Sequence, residues 1–494
     1  MTLNAILAPA QAETLLETTR SLCPTCRAVI DAVIFARDGR VIMRKHCAEH
    51  GTVEALVFGD AELFERIVPF NKPGTPALQF ATEVRAGCPH DCGLCPDHQQ
   101  HLCLGIIEVN SACNLDCPLC LAGAGTHRAH DGFELTFEQV EFMLDRFVAA
   151  EGRPEVIQFS GGEPTLHPRI LDLIKLAQDK GIAYVMLNTN GIRIAHDDRF
   201  LAQLGELKPH VYLQFDGFDP ATARALRGRA DLPALKLRAL DRLAETDVRT
   251  VLVPAIERGV NEHEVGAIVE FGIHHPAVFG VSFHSAFHVQ RYLPFDPLER
   301  VTAPDILKGV EAQTGGLLRQ TDFVPIPCCA PTCAFTTYAI LSAGAVLPVP
   351  RVLAVDQYLD YMQNRTLPSL DAELLRMLER FWSASAPVGS DQLAAALFGA
   401  VGGPPVAGYD TGWTADRCSA CRLGLPMAVH RPRDLAKHLF MVSVRDFMDP
   451  WTFDLRDVHK CCIGMLVPDG RAIPFCAYNS AGYREEVRRS LHGA

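Results

Sequence analysis

The chain of 494 residues has room for about three domains, and its 48% hydrophobic content is enough for sizeable cores. A net charge of −12 without a long basic run argues against a nucleic-acid surface. No apolar stretch is long enough to span a membrane, and the first residues lack the charged region of a signal peptide. The 18 cysteines come in tight C-x2-C and C-C groups, which suit metals better than a disulfide framework and point to a reducing, cytoplasmic compartment.

The first module is read over residues 1–66. Cys23-Pro-Thr-Cys26 and Cys47-Ala-Glu-His50 flank two strand-like runs joined at Asp38-Gly39, a hairpin signal. Two knuckles around a hairpin place four ligands at one tetrahedral point. A Cys3His set suits structural zinc or a rubredoxin-like iron, and with no open position it has a structural or electron-relay role.

Residues 67–103 carry Cys88, Cys92, Cys95 and Cys103 at C-x3-C-x2-C-x7-C spacing. Four thiols close a cluster, so this set is expected to hold a second, closed iron–sulfur centre, with zinc as the alternative. The apolar run Leu104–Asn110 then separates Cys103 from Cys113 and should put them at opposite ends of one strand.

Just beyond that run stand Cys113, Cys117 and Cys120, at C-x3-C-x2-C. Three thiolates hold three irons of a [4Fe–4S] cube and leave the fourth open. An open metal position marks a site that takes a ligand. A zinc knuckle or a plain electron-transfer cluster is the plainer reading. Over 104–290, six short apolar runs alternate with helical patterns, which predicts parallel strands with right-handed crossovers. Ser160-Gly161-Gly162-Glu163-Pro164 ends the second run, Asn188-Thr-Asn190-Gly191 the third, and Gln214-Phe-Asp216-Gly217 the fourth; a loop with Asn261 follows the fifth, and His284 and His288 the sixth. Two adjacent glycines permit close backbone approach, whereas Asn-Gly and Asp-Gly are also ordinary turns.

The triplet and the Gly-Gly-Glu stretch resemble the signatures of the radical SAM superfamily, and the six units resemble its partial (β/α)6 barrel. The resemblance implies that the open iron chelates S-adenosylmethionine, and that one electron splits it into methionine and a 5′-deoxyadenosyl radical. It implies that Gly161, Gly162, Glu163 and Pro164 form the cofactor-side motif, and that Asn190, Asp216 and Asn261 reach cofactor or substrate.

Residues 291–494 hold Cys328-Cys329, Cys333, Cys418, Cys421, Cys461-Cys462 and Cys476. Pro468-Asp469-Gly470 reads as a turn that brings Cys461/Cys462 near Cys476. A further cluster is expected here, with ligands from Cys328 or Cys329, Cys333, Cys461 or Cys462, and Cys476. The stretch 384–412 reads as a loose excursion. The layout resembles the radical SAM group that includes tetraether lipid synthase and relatives described as pterin methylases. His50, where a rubredoxin site has cysteine, departs from that pattern and favours zinc. What the resemblance implies is an α/β enzyme with an N-terminal knuckle module and a cysteine-rich C-terminal auxiliary domain. It would form a C–C bond or transfer methyl at an unactivated carbon. Lipid chain coupling is the favoured expectation and a pterin or other small-molecule radical methyltransferase the second; a multi-cluster electron carrier is the reading outside enzymes. Two or three [4Fe–4S] clusters and a flavodoxin- or ferredoxin-type donor are expected, with peripheral membrane contact if the substrate is a lipid.

Overall fold

The structure, a computed structural model, describes residues 12–126, 132–342, 345–351 and 439–492; Cys418, Cys421 and the stretch 384–412 lie outside the described residues. Strands β1 (Thr14–Leu22), β2 (Val29–Arg37), β3 (Arg40–Cys47) and β4 (Gly51–Phe58) form an antiparallel sheet in chain order. The hairpin at Asp38-Gly39 is there. Both residues take positive φ, 51° and 73°, as a two-residue loop matched to strand twist requires. The β1–β2 and β3–β4 connections leave from one end of this sheet and carry Cys23 and Cys26, and Cys47 and His50.

The second sheet has thirteen strands. At its centre β5 (Leu104–Glu108), β6 (Val156–Ser160), β7 (Tyr184–Thr189), β8 (His210–Gln214), β9 (Thr250–Val253) and β11 (Val278–Ser285) lie side by side in that order, each neighbouring pair parallel; the two-residue β10 (Ala255–Ile256) pairs with β11. These strands fall on the six apolar runs, and helices such as Phe137–Glu151 and Ile170–Asp179 connect them. The first of those helices begins with the expected capping box: the Gln139 N–H donates to Thr136 Oγ1 (3.2 Å) and the Thr136 N–H to Gln139 Oε1 (2.9 Å). Alternate residues face opposite sides. Ile107, Ile157, Phe159, Leu187 and Leu213 pack in the large core under the helices. Val156, Met186, Tyr212 and Val251 form a separate cluster inside the curve of the sheet.

Among the described residues the sheet does not close on itself, which makes it a partial barrel. The stretch after residue 290 is not set apart from it, as the sequence had suggested. β15 (Leu439–Arg445) pairs in parallel with β11, followed by β13 (Ala334–Ser342) with β12 (Val324–Pro325) and β14 (Ala345–Pro348) as its antiparallel partners. At the other edge β16 (Ile463–Leu466) pairs in parallel with β5 and turns at Pro468–Gly470 into β17 (Ala472–Pro474). The pairing partner of a short apolar strand lies far away in sequence, and nothing local announces it.

The ribbon sheet is fastened to the barrel by buried charge. Lys45 Nζ donates to the Pro450 carbonyl (2.7 Å) and to Ser21 Oγ (3.0 Å). Beside it Arg300 and Asp449, 1% and 0% exposed, pair at 2.8 Å. Although burial raises the Asp449 carboxyl, Arg300 and His288 outweigh it and hold it well below its usual range. Removing one member of such a pair strands the other charge, at a cost of about 3–5 kcal/mol. Asp449→Asn should therefore lower the unfolding free energy from urea titration by that order, whereas Asp145→Asn, on an exposed surface pair, should leave it within about 0.5 kcal/mol.

Candidate active site

Where β5 ends, Asn110 and Ala112 enter the loop that carries Cys113, Cys117 and Cys120. Short bridges pin this loop: Asn110 with Glu134, Ala112 with Gly125 and Cys120 with Arg291. The Gly161–Gly162 pair at the end of β6 lies against it. The Gly162 N–H donates to the Asn110 carbonyl (2.9 Å), and the Glu163 N–H to the Ala112 carbonyl (2.8 Å). A Cβ on Gly161 would stand 2.3 Å from the Asn110 oxygen, and one on Gly162 2.2 Å from the Ala112 oxygen; Gly161 also has φ +139°. The glycines thus let the thiol-bearing loop pass directly across the strand end.

The three thiols are half-buried. Burial pushes the Cys113 thiol up to about 12, with the Glu163 carboxylate adding to the effect. Burial also raises Cys117, against the opposing pull of the cations Arg227 and Lys236. Thiols held this way release their protons when a cation takes them, so the set fits a cluster bound as thiolates.

The strand-end residues expected to reach a ligand are occupied by the protein itself. Glu163, 1% exposed, accepts from the Thr165 N–H (3.1 Å) and hydroxyl (2.6 Å), the Thr189 hydroxyl (2.6 Å) and the Asn190 N–H (2.8 Å). Burial still pushes its carboxyl up. Pro164 opens a short 3-10 turn behind it. Asn190 Nδ2 donates to Asn114 Oδ1 in the thiol loop (2.7 Å), and its Oδ1 caps Ile192 (3.0 Å). Asp216 is held in two parallel bonds by Arg227 (2.7 and 2.8 Å) and accepts from the Ala255 N–H (3.1 Å). Arg227 also donates to the Leu119 carbonyl, between Cys117 and Cys120 (2.9 Å). Asn261, 0% exposed, donates to the Asp216 and Ala255 carbonyls (both 2.9 Å). These groups tie strand ends to one another and to the loop. Arg227 and Lys236 were not singled out from the sequence, since each looks like an ordinary helix residue until the fold turns it inward.

Inside the curve of the sheet lies a cavity of about 200 Å³. Ile106, Met465 and Phe475 form apolar wall and Gln158, Ser160, Asn188 and Gln214 polar wall, in which Asn188 Nδ2 donates to Ser160 Oγ (3.3 Å) and Gln214 is bonded to Asp216 and Lys236; Leu119 and Leu121 of the thiol loop line it too. His284, expected at a strand end, also faces it, and its burial, with Arg445 nearby, holds the imidazole down to about 3, so it is neutral. His288 instead belongs to the buried charge group, 3.2 Å from Glu257. A larger cavity of about 570 Å³ lies between the ribbon and residues 446–460, and none of the thiol-loop residues lines it.

Residues 107–272 match the radical SAM superfamily, and residues 15–59 the HMPTM N-terminal zinc ribbon domain. The 7,8-dihydro-6-hydroxymethylpterin dimethyltransferase of Methanocaldococcus jannaschii is 32% identical over 503 aligned residues, covering 96% of this chain and 95% of that one. The chain belongs to the radical SAM superfamily. The GTP 3',8-cyclase of Chlorobaculum tepidum is 33% identical over 34% of this chain and 49% of its own length. Among solved structures, Streptococcus suis SuiB bound to S-adenosylmethionine overlaps 43% of this chain and 47% of its own, at 16% identity and a TM-score of 0.36.

A radical SAM enzyme takes a [4Fe–4S] cluster and S-adenosylmethionine, and this one has thiols for further metal. In the zinc ribbon the ligand atoms of Cys23, Cys26, Cys47 and His50 all lie within 4.8 Å of one another, the span of a single ion. Cys103 does lie across β5 from Cys113, but it is not grouped with Cys88, Cys92 and Cys95 as the spacing had suggested. Its thiol lies within 4.8 Å of those of Cys328 and Cys462, which are 3.3 Å apart. The cause is strand pairing: the Cys103 N–H donates to the Cys462 carbonyl (2.9 Å) where β16 meets β5. Cys88 and Cys92 remain in contact, with His459 against Cys88. The tail thiols named from the sequence, Cys328 or Cys329, Cys333, Cys461 or Cys462, and Cys476, lie in one thiol-rich region. Cys328 and Cys462 face Cys103, Cys329 lies against Cys328, Cys462 and Cys333, and Cys461 lies against Cys476.

Two outcomes follow. Purified protein should carry one zinc per chain by plasma emission spectroscopy, and His50→Ala should lose it together with part of the thermal stability. Gly162→Ala should displace the thiol loop by several tenths of an ångström or more. S-adenosylmethionine cleavage, read as 5′-deoxyadenosine, should then fall about a hundredfold, with zinc content unchanged.

Proposed function

We propose that this enzyme transfers methyl groups to a carbon of a reduced pterin ring. The observation that carries the reading is the end-to-end match to the 7,8-dihydro-6-hydroxymethylpterin dimethyltransferase, which spans ribbon, barrel and tail alike. The cavity supports it. About 200 Å³ walled by both amide groups and apolar side chains suits one flat bicyclic ring. Coupling of lipid chains, the expectation first favoured, would call for a long apolar tunnel, and the described cavity of about 200 Å³ is partly polar.

Bound at Cys113, Cys117 and Cys120, a [4Fe–4S] cluster with S-adenosylmethionine supplies one-electron cleavage of the sulfonium, fed by a flavodoxin- or ferredoxin-type donor. The chain's own residues do the positioning. Asp216–Arg227 and Asn190 hold the thiol loop over the mouth, Glu163 braces two neighbouring strand ends, and Gln158 and the Asn188 side-chain carbonyl oxygen present hydrogen-bonding groups to the ring's edge, while Gln214 is engaged by Asp216 and Lys236. Ile106, Phe475 and Met465 keep water from the reacting carbon.

The test is direct. Reductive cleavage leaves its methyl on methionine, so the methyl transferred is taken to come from a second S-adenosylmethionine; anaerobically reconstituted, reduced protein is therefore given excess methyl-deuterated S-adenosylmethionine and 7,8-dihydro-6-hydroxymethylpterin. Mass spectrometry should find the pterin heavier by one or two deuterated methyl groups. Abundant 5′-deoxyadenosine with unaltered pterin would leave the superfamily chemistry standing and remove the substrate.

A further inference from the structure

Along β15, Phe440, Val442 and Val444 pack in the outer core. Met441, Ser443 and Arg445 therefore face the barrel interior. Met441 joins the cluster of Tyr212 and Met186, and Ser443 Oγ donates to Ser282 Oγ (3.0 Å). Arg445 ends this inward row, in register with His284 of β11, and lines the 200 Å³ cavity.

Its position is unlike that of the other deeply buried arginines. Arg227 is paired with Asp216, Arg300 with Asp449 and Arg484 with Glu108. Arg445 is 6% exposed, and its Nη1 is buried without a hydrogen-bond partner among the described residues. The groups nearest to it in charge are the Tyr212 hydroxyl and the thiols of Cys462, Cys329 and Cys333. A buried guanidinium without an acceptor is costly, and the cost falls once a ligand supplies one. The neighbouring neutral His284 adds no second positive charge.

We propose that Arg445 anchors the substrate by donating to the ring oxygen of a flat heterocycle. This rests on the pterin reading and deepens it. A 7,8-dihydropterin presents its O4 and N5 as two coplanar acceptors on one edge, much as guanine presents O6 and N7. Arginine meets that edge with two parallel N–H donors, a match that lysine cannot make. Arg445 thus sets which edge of the ring enters the cavity first and which carbons remain turned toward the thiol loop. It also gives the C-terminal strand a direct part in substrate choice.

The test compares wild type, Arg445→Lys and Arg445→Met as reconstituted full-length protein. Anaerobic equilibrium dialysis measures 7,8-dihydro-6-hydroxymethylpterin against its analogue with an amino group in place of O4. Wild type should prefer the oxo compound, and both variants should bind it roughly ten- to a hundredfold more weakly, the range of one charge-assisted hydrogen bond. In Arg445→Met the preference should vanish, with iron content and the EPR spectra of the reduced clusters unchanged. Equal oxo preference in wild type and Arg445→Met would overturn the assignment, as would a changed cluster spectrum with preference intact, since Arg445 would then serve the thiolates. Failure of wild type to bind either pterin would instead remove the pterin reading, and this inference with it.

Discussion

The site depends on two carbonyl oxygens, those of Asn110 and Ala112, coming so close to Gly161 and Gly162 that no side chain fits between. The two backbone hydrogen bonds made there fix where the loop of Cys113, Cys117 and Cys120 leaves the end of β5. From that contact the rim is tied together strand by strand. Glu163 reaches Thr189 and Asn190 at the end of β7; Asp216 at the end of β8 reaches Ala255 beyond β9; Asn261 closes over both. Arg227 returns from the helix after β8 to the loop itself. Residues that look like ligand-contacting groups in a motif are here the ties that keep a three-thiol loop over a cavity. Preorganisation of this kind is what reactive chemistry needs, because a displaced loop would let the radical meet the wrong atom.

The second constraint is closure. An open sheet exposes two edges, each a row of unpaired backbone groups. Both edges of the central six strands are continued by strands from the tail, β15 and β13 on one side, β16 and β17 on the other. Cys328, between β12 and β13, and Cys462, just before β16, bring the two sides to 3.3 Å. The thiol-rich region is thus where the two ends of the open sheet approach each other, and Cys103, just before β5, joins it. Metal bound there would bridge both edges at once, which gives these thiols a mechanical part beside any electron relay.

Much of this could be read from the chain because the decisive signals are local. Asp38-Gly39, the capping box at Thr136, the C-x3-C-x2-C triplet and Gly-Gly-Glu each depend on residues only a few places apart, and each stands where the pattern put it. What could not be read depends on pairing at a distance. Cys103 lies eight residues after Cys95 in the sequence, yet the hydrogen bond from its backbone to Cys462 decides its company. Asn190, Asp216 and Asn261 were placed correctly at strand ends, but only the fold shows their polar atoms already bonded to protein.

Lipid coupling and pterin methylation share the same triplet, so the choice between them lies in what the barrel can hold. Two alkyl chains need length and an apolar wall throughout. The interior seen here is divided: Met186, Val251 and Met441 fill its lower part, and above them Gln158, Asn188, Gln214 and Arg445 put hydrogen-bonding groups where a chain would have to pass. Arg445 Nη1, which has no hydrogen-bond partner among the described residues, would stay unpaired against hydrocarbon, and burying an unpaired polar group costs about 1–3 kcal/mol. Beside a heterocycle it is satisfied by a carbonyl oxygen or a ring nitrogen. The polar upper layer of the barrel is therefore an argument about the substrate as much as about the fold.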